Sequence, residues 1–292
     1  MQKIVPFLWF NTQAEEAVNF YTSIFKDSKT TATARYGDTH PERSGGVMTV
    51  NFTLENQAFI ALNGGPEFAF TPAISFFVTL ETEAEVTALW EKLVEGGTVL
   101  MPFQRYDWSE KYGWLDDRYG VSWQIGLGKN SDVGQTIVPS LLFVGEQCGK
   151  AEEALHFYSS LFEGSSLTHI MKSPGTDNVM HAQFTLAGQT LTAMDSAEAH
   201  NFSFNEAVSF FVNCTSQTEV DRFWNALSAH PEAEQCGWLK DKYGVSWQIV
   251  PTEALKLMAD PDRDKAARVT EALMKMKKID GDVLRRAFES KP

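Results

Sequence analysis

The sequence predicts an α+β protein built from two tandem copies of one domain, followed by a helical tail. Three observations carry that prediction. The stretch GWLDDRYGVSWQI, 113–125, returns as GWLKDKYGVSWQI, 237–249, with two positions changed. The match between the halves stays collinear far beyond that stretch. Within each half, helical and strand-like patterning alternate in the same order, twice over.

Each element follows from its residues. IVPFL at 4–8, matched by IVPSL at 137–141, reads as a strand. AEEAVNFYTSIF at 14–25, matched at 151–162, places Ala14, Ala17, Val18, Tyr21, Ile24 and Phe25 at helical spacing. Thr12 with Glu15 reads as its capping box. VMTVNFTLENQAFIALN at 47–63, matched by VMHAQFTLAGQTLTAMD at 179–195, reads as two strands around the turn pair Glu55-Asn56. AISFFVTLETEAEV at 73–86, matched at 207–220, reads as a strand and a helix start. Thr82 with Glu85, and Ser216 with Glu219, are its capping boxes, and the helices run on through Trp90 and Trp224. The repeated sentence is then a closing hairpin, with Asp117-Arg118-Tyr119-Gly120 as its tight turn. Each copy thus reads as strand, helix, three strands, taken twice. The boundaries are 3–128 and 136–251, with GLGKNSDVGQT, 126–136, as linker and 252–292 as a C-terminal extension.

Composition narrows the function. Hydrophobic content of 43% with 21 Phe and 8 Trp suffices for packed cores. No apolar run reaches about 18 residues, so no membrane span is expected. The N-terminal apolar stretch is short and lacks a small-residue cleavage site, which predicts no signal peptide. Three scattered cysteines, Cys148, Cys214 and Cys236, read as reduced thiols of a cytoplasmic protein. A net charge of −13 argues against a nucleic-acid partner.

Alternation separates the faces of the strands. In VMHAQFTL, Met180, Ala182 and Phe184 form an apolar row, and His181, Gln183 and Thr185 a polar one. In VMTVNFTL the polar row is Thr49, Asn51 and Thr53; in VSWQI it is Ser122 and Gln124. Helices on one face turn the polar row outward or into a cup. Aromatic residues near it, such as Trp9, Phe77 and Trp108, favour a cup that holds a small ligand.

A doubled strand–helix–three-strand module, with AEEAxxFYxxxF on its first helix and a D-x-x-G turn before its last strand, resembles the vicinal oxygen chelate superfamily. That group includes glyoxalase I, bleomycin-resistance proteins and extradiol dioxygenases. PFLWFNTQAEEAVNFY, LNGGPEFAF, AISFFV and DRYGVSWQI resemble its PhnB-like branch. The resemblance implies two βαβββ modules per domain, each pair curving into a mixed-sheet cup. It also implies metal ligands on the first strand, on the strand opening the second module, and on the last strand. The last-strand ligand is usually Glu, four residues after the turn glycine. Here that place holds Gln124 and Gln248, the second-module strands offer Ser75 and Ser209, and the first strands carry neither His nor acid. A divalent ion needs two or three good donors. The first domain has one histidine, His40, in a loop. In the second, His181, Asp195 and Gln248 are the possible metal set, although His181 also reads as an ordinary polar strand residue and Asp195 as a turn residue.

The remaining signals are weaker. GLG at 126–128 is matched by VPT in the other half, and no helix with Lys-Ser/Thr follows, so it reads as linker. Some PhnB-like sequences carry a name implying ubiquinone methyltransferase. No glycine-rich strand–helix turn supports a methyl-donor site. NGGP at 63–66, against DSAE in the other half, could bring backbone N–H groups to a ligand or be a plain loop. In the tail, Asp260-Pro261 reads as a helix start. Ala266, Val269, Leu273 and Met276 form one apolar stripe, and Val283, Leu284, Ala287 and Phe288, after Asp282, another. Both are expected to dock on the parent domain or on a subunit partner.

The sequence thus points to small-molecule binding in a sheet-lined cup, with no cofactor expected and no nucleic-acid or membrane partner. The candidate ligand-binding residues are Trp9, Asn51, Asn63, Ser75, Phe77, Trp108 and Gln124 in the first domain. In the second they are His181, Gln183, Asp195, Ser209, Phe211 and Gln248. Two alternatives stand beside this reading. One is a metal-dependent lyase or isomerase active in the second domain only. The other is a scaffold whose tandem domains mimic the homodimer of single-domain relatives, which makes the chain a monomeric pseudo-dimer or a homodimer.

Overall fold

The computed structural model describes residues 2–37 and 42–290; His40 lies outside them. The first repeat opens with β1 (Ile4–Phe10), α1 (Ala14–Ile24), β2 (Lys29–Arg35), β3 (Val47–Leu54) and β4 (Gln57–Asn63). Its second module is β5 (Ile74–Leu80), α2 (Glu83–Leu93), β6 (Thr98–Tyr106), β7 (Ser109–Asp116) and β8 (Ser122–Leu127). A four-residue helix α3 (Asn130–Val133) lies in the linker. The second repeat gives β9 (Ile137–Phe143), α4 (Ala151–Leu161), β10 (Ser166–Lys172), β11 (Val179–Leu186) and β12 (Gln189–Asp195). It continues with β13 (Val208–Cys214), α5 (Gln217–Leu227), β14 (Trp238–Lys240) and β15 (Ser246–Pro251). Three helices end the chain: α6 (Thr252–Met258), α7 (Arg263–Met274) and α8 (Gly281–Glu289).

The α+β architecture and the tandem modules are as the sequence predicts, but the modules share sheets differently. One sheet, hereafter sheet A, runs β14-β15-β13-β1-β4-β3-β2; sheet B runs β10-β11-β12-β9-β5-β8-β7-β6. Each sheet therefore joins a module of one repeat to a module of the other, through the antiparallel pairs β1–β13 and β5–β9. The linker explains the choice. It returns Thr136 beside Thr79, where the Thr79 N–H donates to the Thr136 carbonyl at 2.9 Å. That delivers β9 to the open edge of β5 before any longer path can compete. The expectation of a cup within each repeat is corrected accordingly.

Helices α1, α2, α4 and α5 pack into the core between the sheets. Phe59 of β4 meets Phe76 of β5 at 5.4 Å, so the core faces of the two sheets close on each other within the first repeat. The repeated closing hairpin has a structural reason. Asp117 Oδ1 accepts the backbone N–H groups of Tyr119 and Val121, and Oδ2 accepts the Tyr21 hydroxyl and Trp123 Nε1. Asp241 makes the same four contacts to Tyr243, Val245, Tyr158 and Trp247. One buried carboxylate thus ties turn, last strand and first helix together. Gly120, at φ +87°, completes the turn as predicted.

Three local expectations are corrected. The Thr12–Glu15 capping box does not form: α1 is preceded by Gln13, and its Ala14 N–H donates to Asn63 Oδ1 at 2.8 Å. The Thr82–Glu85 and Ser216–Glu219 caps do form. The cap of α7 falls at Asp262 rather than at Asp260-Pro261, because Asp260 Oδ1 is occupied by the Asp262 N–H. Finally, the second module of the second repeat lacks a counterpart of β6. Between α5 and β14 it has only the short turn Pro231–Ala233.

Candidate functional site

Each sheet has one face on the core and one facing away from it. On sheet B the outward row follows from the strand registers. Ser75 of β5 is paired with Ser140 of β9, Ser140 with Thr192 of β12, and Thr192 with Gln183 of β11. One step along, Trp114, Gln124, Phe77 and Val138 form the neighbouring row. Paired side chains of adjacent strands lie about 5 Å apart, so these rows are continuous strips of hydroxyl, amide and aromatic groups. Ser75, Gln124 and Ser140 are no more than 2% exposed, whereas Trp108 at the tip of the β6–β7 hairpin is 68% exposed. The floor residues are buried and the hairpin tip is exposed; this face of sheet B is the candidate cup. The linker crosses one end, where Thr190 Oγ1 donates to the Val133 carbonyl and Gln183 Nε2 to the Asp132 carbonyl.

The glutamine of this cup is held at both ends of its amide. Gln124 Nε2 donates to Ser75 Oγ at 2.8 Å, and Gln124 Oε1 accepts the Tyr112 hydroxyl at 2.6 Å. Burial, followed by the nearby Tyr106, raises the Tyr112 phenol far above its ordinary range, so it stays protonated and donates. Phe77 stacks on Tyr112 at 5.9 Å, Tyr106 meets Tyr112 edge-on at 5.8 Å, and Trp108 stacks on Tyr106 at 4.8 Å. An aromatic wall therefore rises from the floor to the rim. On the far side stand His181 and its strand partner Met171. Burial first, then His169, lowers the His181 pKa and keeps its imidazole neutral at pH 7. The cup offers uncharged hydrogen-bonding groups and ring faces.

Six sequence-predicted residues meet on sheet B: Ser75, Phe77, Trp108, Gln124, His181 and Gln183. Five others, Trp9, Asn51, Ser209, Phe211 and Gln248, stand on the outward face of sheet A. The last two of the set hold helices. Asn63 caps α1 and donates to the Val47 carbonyl. Asp195 Oδ1 accepts the Gly149 and Ala151 N–H groups at the start of α4, and its Oδ2 accepts Val179 N–H. NGGP is a packing loop: Trp9 Nε1 donates to the Gly65 carbonyl, and a Cβ on Gly64 would run into the Trp9 ring. Sequence reasoning missed Ser140 and Thr192. Their signal was the contrast with Phe7 and Ile60 at the matching places of the first repeat.

The residues named as a possible metal set do not come together. His181 belongs to sheet B, Gln248 to sheet A, and Asp195 is consumed by a helix start, so the three do not converge. Gln248 Nε2 is spent on Ser209 Oγ at 3.0 Å. Among the described residues no three His, Cys, Asp or Glu side chains gather in a metal-holding group.

Comparison with known proteins places this architecture. The family model described as 3-demethylubiquinone-9 3-methyltransferase matches residues 2–126 and again 135–250. The chain belongs to that family. The 3-demethylubiquinone-9 3-methyltransferase family model thus recognises each repeat separately, and its solved relatives include single-repeat chains. A PhnB protein from Bacillus cereus is 46% identical over 44% of this chain and 100% of its own, with a TM-score of 0.42. A protein from Pseudomonas aeruginosa is 27% identical over 44% of this chain and 98% of its own, with a TM-score of 0.38. Glyoxalase I from Zea mays covers 87% of this chain and 94% of its own at 12% identity, with a TM-score of 0.56. That likeness is one of fold. No curated protein matches the chain. The family's description names an activity, whereas the GLG at 126–128 ends β8 and leads into the four-residue α3, with no glycine-rich strand-to-helix turn.

Proposed function

We propose that the chain binds a small, uncharged, ring-bearing molecule in the sheet B cup, and does so without a catalytic metal. The observation that carries this reading is the pairing of a hydroxyl and amide floor with the aromatic wall Phe77–Tyr112–Tyr106–Trp108. The floor serves a ligand's polar edge, and the wall serves its ring. Gln124 helps shape the cup, held from both sides by Ser75 and Tyr112. Neutral His181 adds one donor and one acceptor without charge. Against the metal-dependent lyase reading stands the separation of its three named residues, His181, Asp195 and Gln248.

The test is a titration of the purified chain with neutral aromatic probes, 1-naphthol and p-cresol, followed by tryptophan fluorescence and calorimetry. Saturable binding with one site per chain, weakened in Ser140→Val and in Trp108→Ala, is expected. Saturable binding that neither substitution weakens places the site elsewhere and overturns the reading, as does no saturable binding by either probe.

A further inference from the structure

The outward face of sheet A differs from that of sheet B in three linked ways. First, its floor is apolar. The register that gives Ser75, Ser140 and Thr192 in sheet B gives Ser209, Phe7 and Ile60 in sheet A. Val5 and Ala58 likewise stand where Val138 and Thr190 stand. Second, that floor is covered by the chain itself. Val5, Phe7, Phe211 and Val250 form one buried cluster with Ala254, Val269, Ile279 and Leu284 of the C-terminal segment. This cluster is separate from the main core, and no residue of sheet B belongs to it. Third, the aromatic hairpin is missing. Cys236 and Gly237 occupy the places of Tyr112 and Gly113. Where β6 would pair with them, the tail does so instead: the Cys236 N–H donates to the Met276 carbonyl and the Gly237 N–H to the Lys277 carbonyl, both at 2.8 Å.

The cup machinery is nonetheless retained. Gln248 donates to Ser209 as Gln124 does to Ser75. Besides the Cys236 and Gly237 N–H bonds, the tail is held by Gln217 Nε2 to the Ile279 carbonyl, Gly281 N–H to Gln217 Oε1, Lys277 Nζ to the Pro231 carbonyl, and the half-exposed ion pairs Lys277–Glu234 and Lys278–Asp221; Arg285–Glu253 ties α8 to α6 within it. Exposed ion pairs of that kind add little to stability. A hydrophobic cluster separate from the core, closed by a terminal segment, is the physical pattern of a unit that opens below the global unfolding energy.

We propose that the outward face of sheet A is a second, masked ligand cup, suited to an apolar molecule, and that residues 252–289 are its tethered occupant. Its apolar floor selects alkyl or aryl surface where the sheet B cup selects hydrogen-bonding groups. The occupant leaves one cup open per chain. The proposal concerns the opposite sheet from the binding site above and does not depend on it.

The experiment uses the full chain and the dye 1-anilinonaphthalene-8-sulfonate. In Leu284→Glu, which puts a charge into the buried cluster, about one further equivalent of dye is expected, with the sheet amides still protected from exchange. A peptide of residues 252–290 added in trans displaces that equivalent. Arg286→Glu, on the exposed side of α8, leaves dye binding as in the unmodified chain. Native-state hydrogen exchange on the unmodified chain reads the same property without a substitution: amides of 252–289 should exchange together, faster than those of β1 and β13. The proposal is overturned by exchange of 252–289 only through global unfolding. It is equally overturned if folded Leu284→Glu gains no dye, or gains dye that the peptide does not displace.

Discussion

Asp241→Asn tests the account of the repeated hairpin. Asp241 is completely buried and accepts four hydrogen bonds: Tyr243 N–H at 2.9 Å, Val245 N–H at 3.0 Å, the Tyr158 hydroxyl at 2.7 Å and Trp247 Nε1 at 2.8 Å. Asparagine has one acceptor oxygen. With that oxygen kept on the two backbone donors, its amide nitrogen faces Tyr158 and Trp247. The tyrosine hydroxyl can rotate and accept. The indole N–H cannot, and an orphaned buried donor costs about 1–3 kcal/mol. Loss of charge assistance in the remaining bonds adds on the order of 1 kcal/mol. Opposing this, burial pushes the Asp241 carboxyl above its ordinary range, so a neutral side chain recovers part of the desolvation cost. The expected net loss is about 1–3 kcal/mol, or roughly 2–12 °C in Tm. Urea denaturation followed by far-UV circular dichroism measures it. Trp247→Phe removes the orphaned donor, so in the double variant the two losses should fall short of their sum by about 1 kcal/mol. Full additivity, or a loss under about 0.5 kcal/mol for Asp241→Asn, refutes the reasoning.

Four further outcomes are expected. Trp108→Ala should weaken 1-naphthol binding about 10-fold, the value of one lost ring contact, with unchanged Tm because the side chain is mostly exposed. Asp195→Ala should cost about 1–2 kcal/mol in thermal unfolding, since three N–H groups at and near the α4 start lose their acceptor. His181 has a folded pKa below its unfolded value of about 6.5, so the folded chain binds fewer protons in that window and stability rises with pH through it. His181→Gln should flatten that slope, measured as urea midpoints between about pH 5 and 7. Elemental analysis of chain purified without chelators should find Zn, Ni, Mn and Fe well below one per chain, and Gln248→Glu should raise none of them, because His181 and Asp195 lie elsewhere.

The site was half legible in the sequence. Only the family resemblance singled out Ser75, while period-two alternation assigned Gln124, His181 and Gln183 to polar rows, which follows from backbone geometry alone. It could not tell that Asn63 and Asp195, each ending a strand, would turn toward a helix start. A short polar side chain at a strand end can serve a ligand or an N-cap, and only the position of the neighbouring helix chooses. Nor could it separate the cups, because Trp9 and Phe211 look as suitable for a ligand as Phe77 does. The tail's stripes were legible as docking faces. Their partner was not, since an apolar stripe specifies burial but not the surface that buries it.

The sequence by itself determined the modules: which segments form strands and helices, which faces are polar, and that the closing hairpin occurs twice. These are local properties, set by periodicity, turn residues and caps within a few residues of each other. Tertiary structure alone decided the pairing. Duplicated strands present nearly the same edge to each other, so β1 could join β5 or β13 with similar local chemistry. The short linker, by setting β9 against β5, broke that degeneracy and sent β1 to β13. From that one choice followed two sheets shared by both repeats, one cup lined by hydroxyls and aromatic rings, and one closed by the chain's own end.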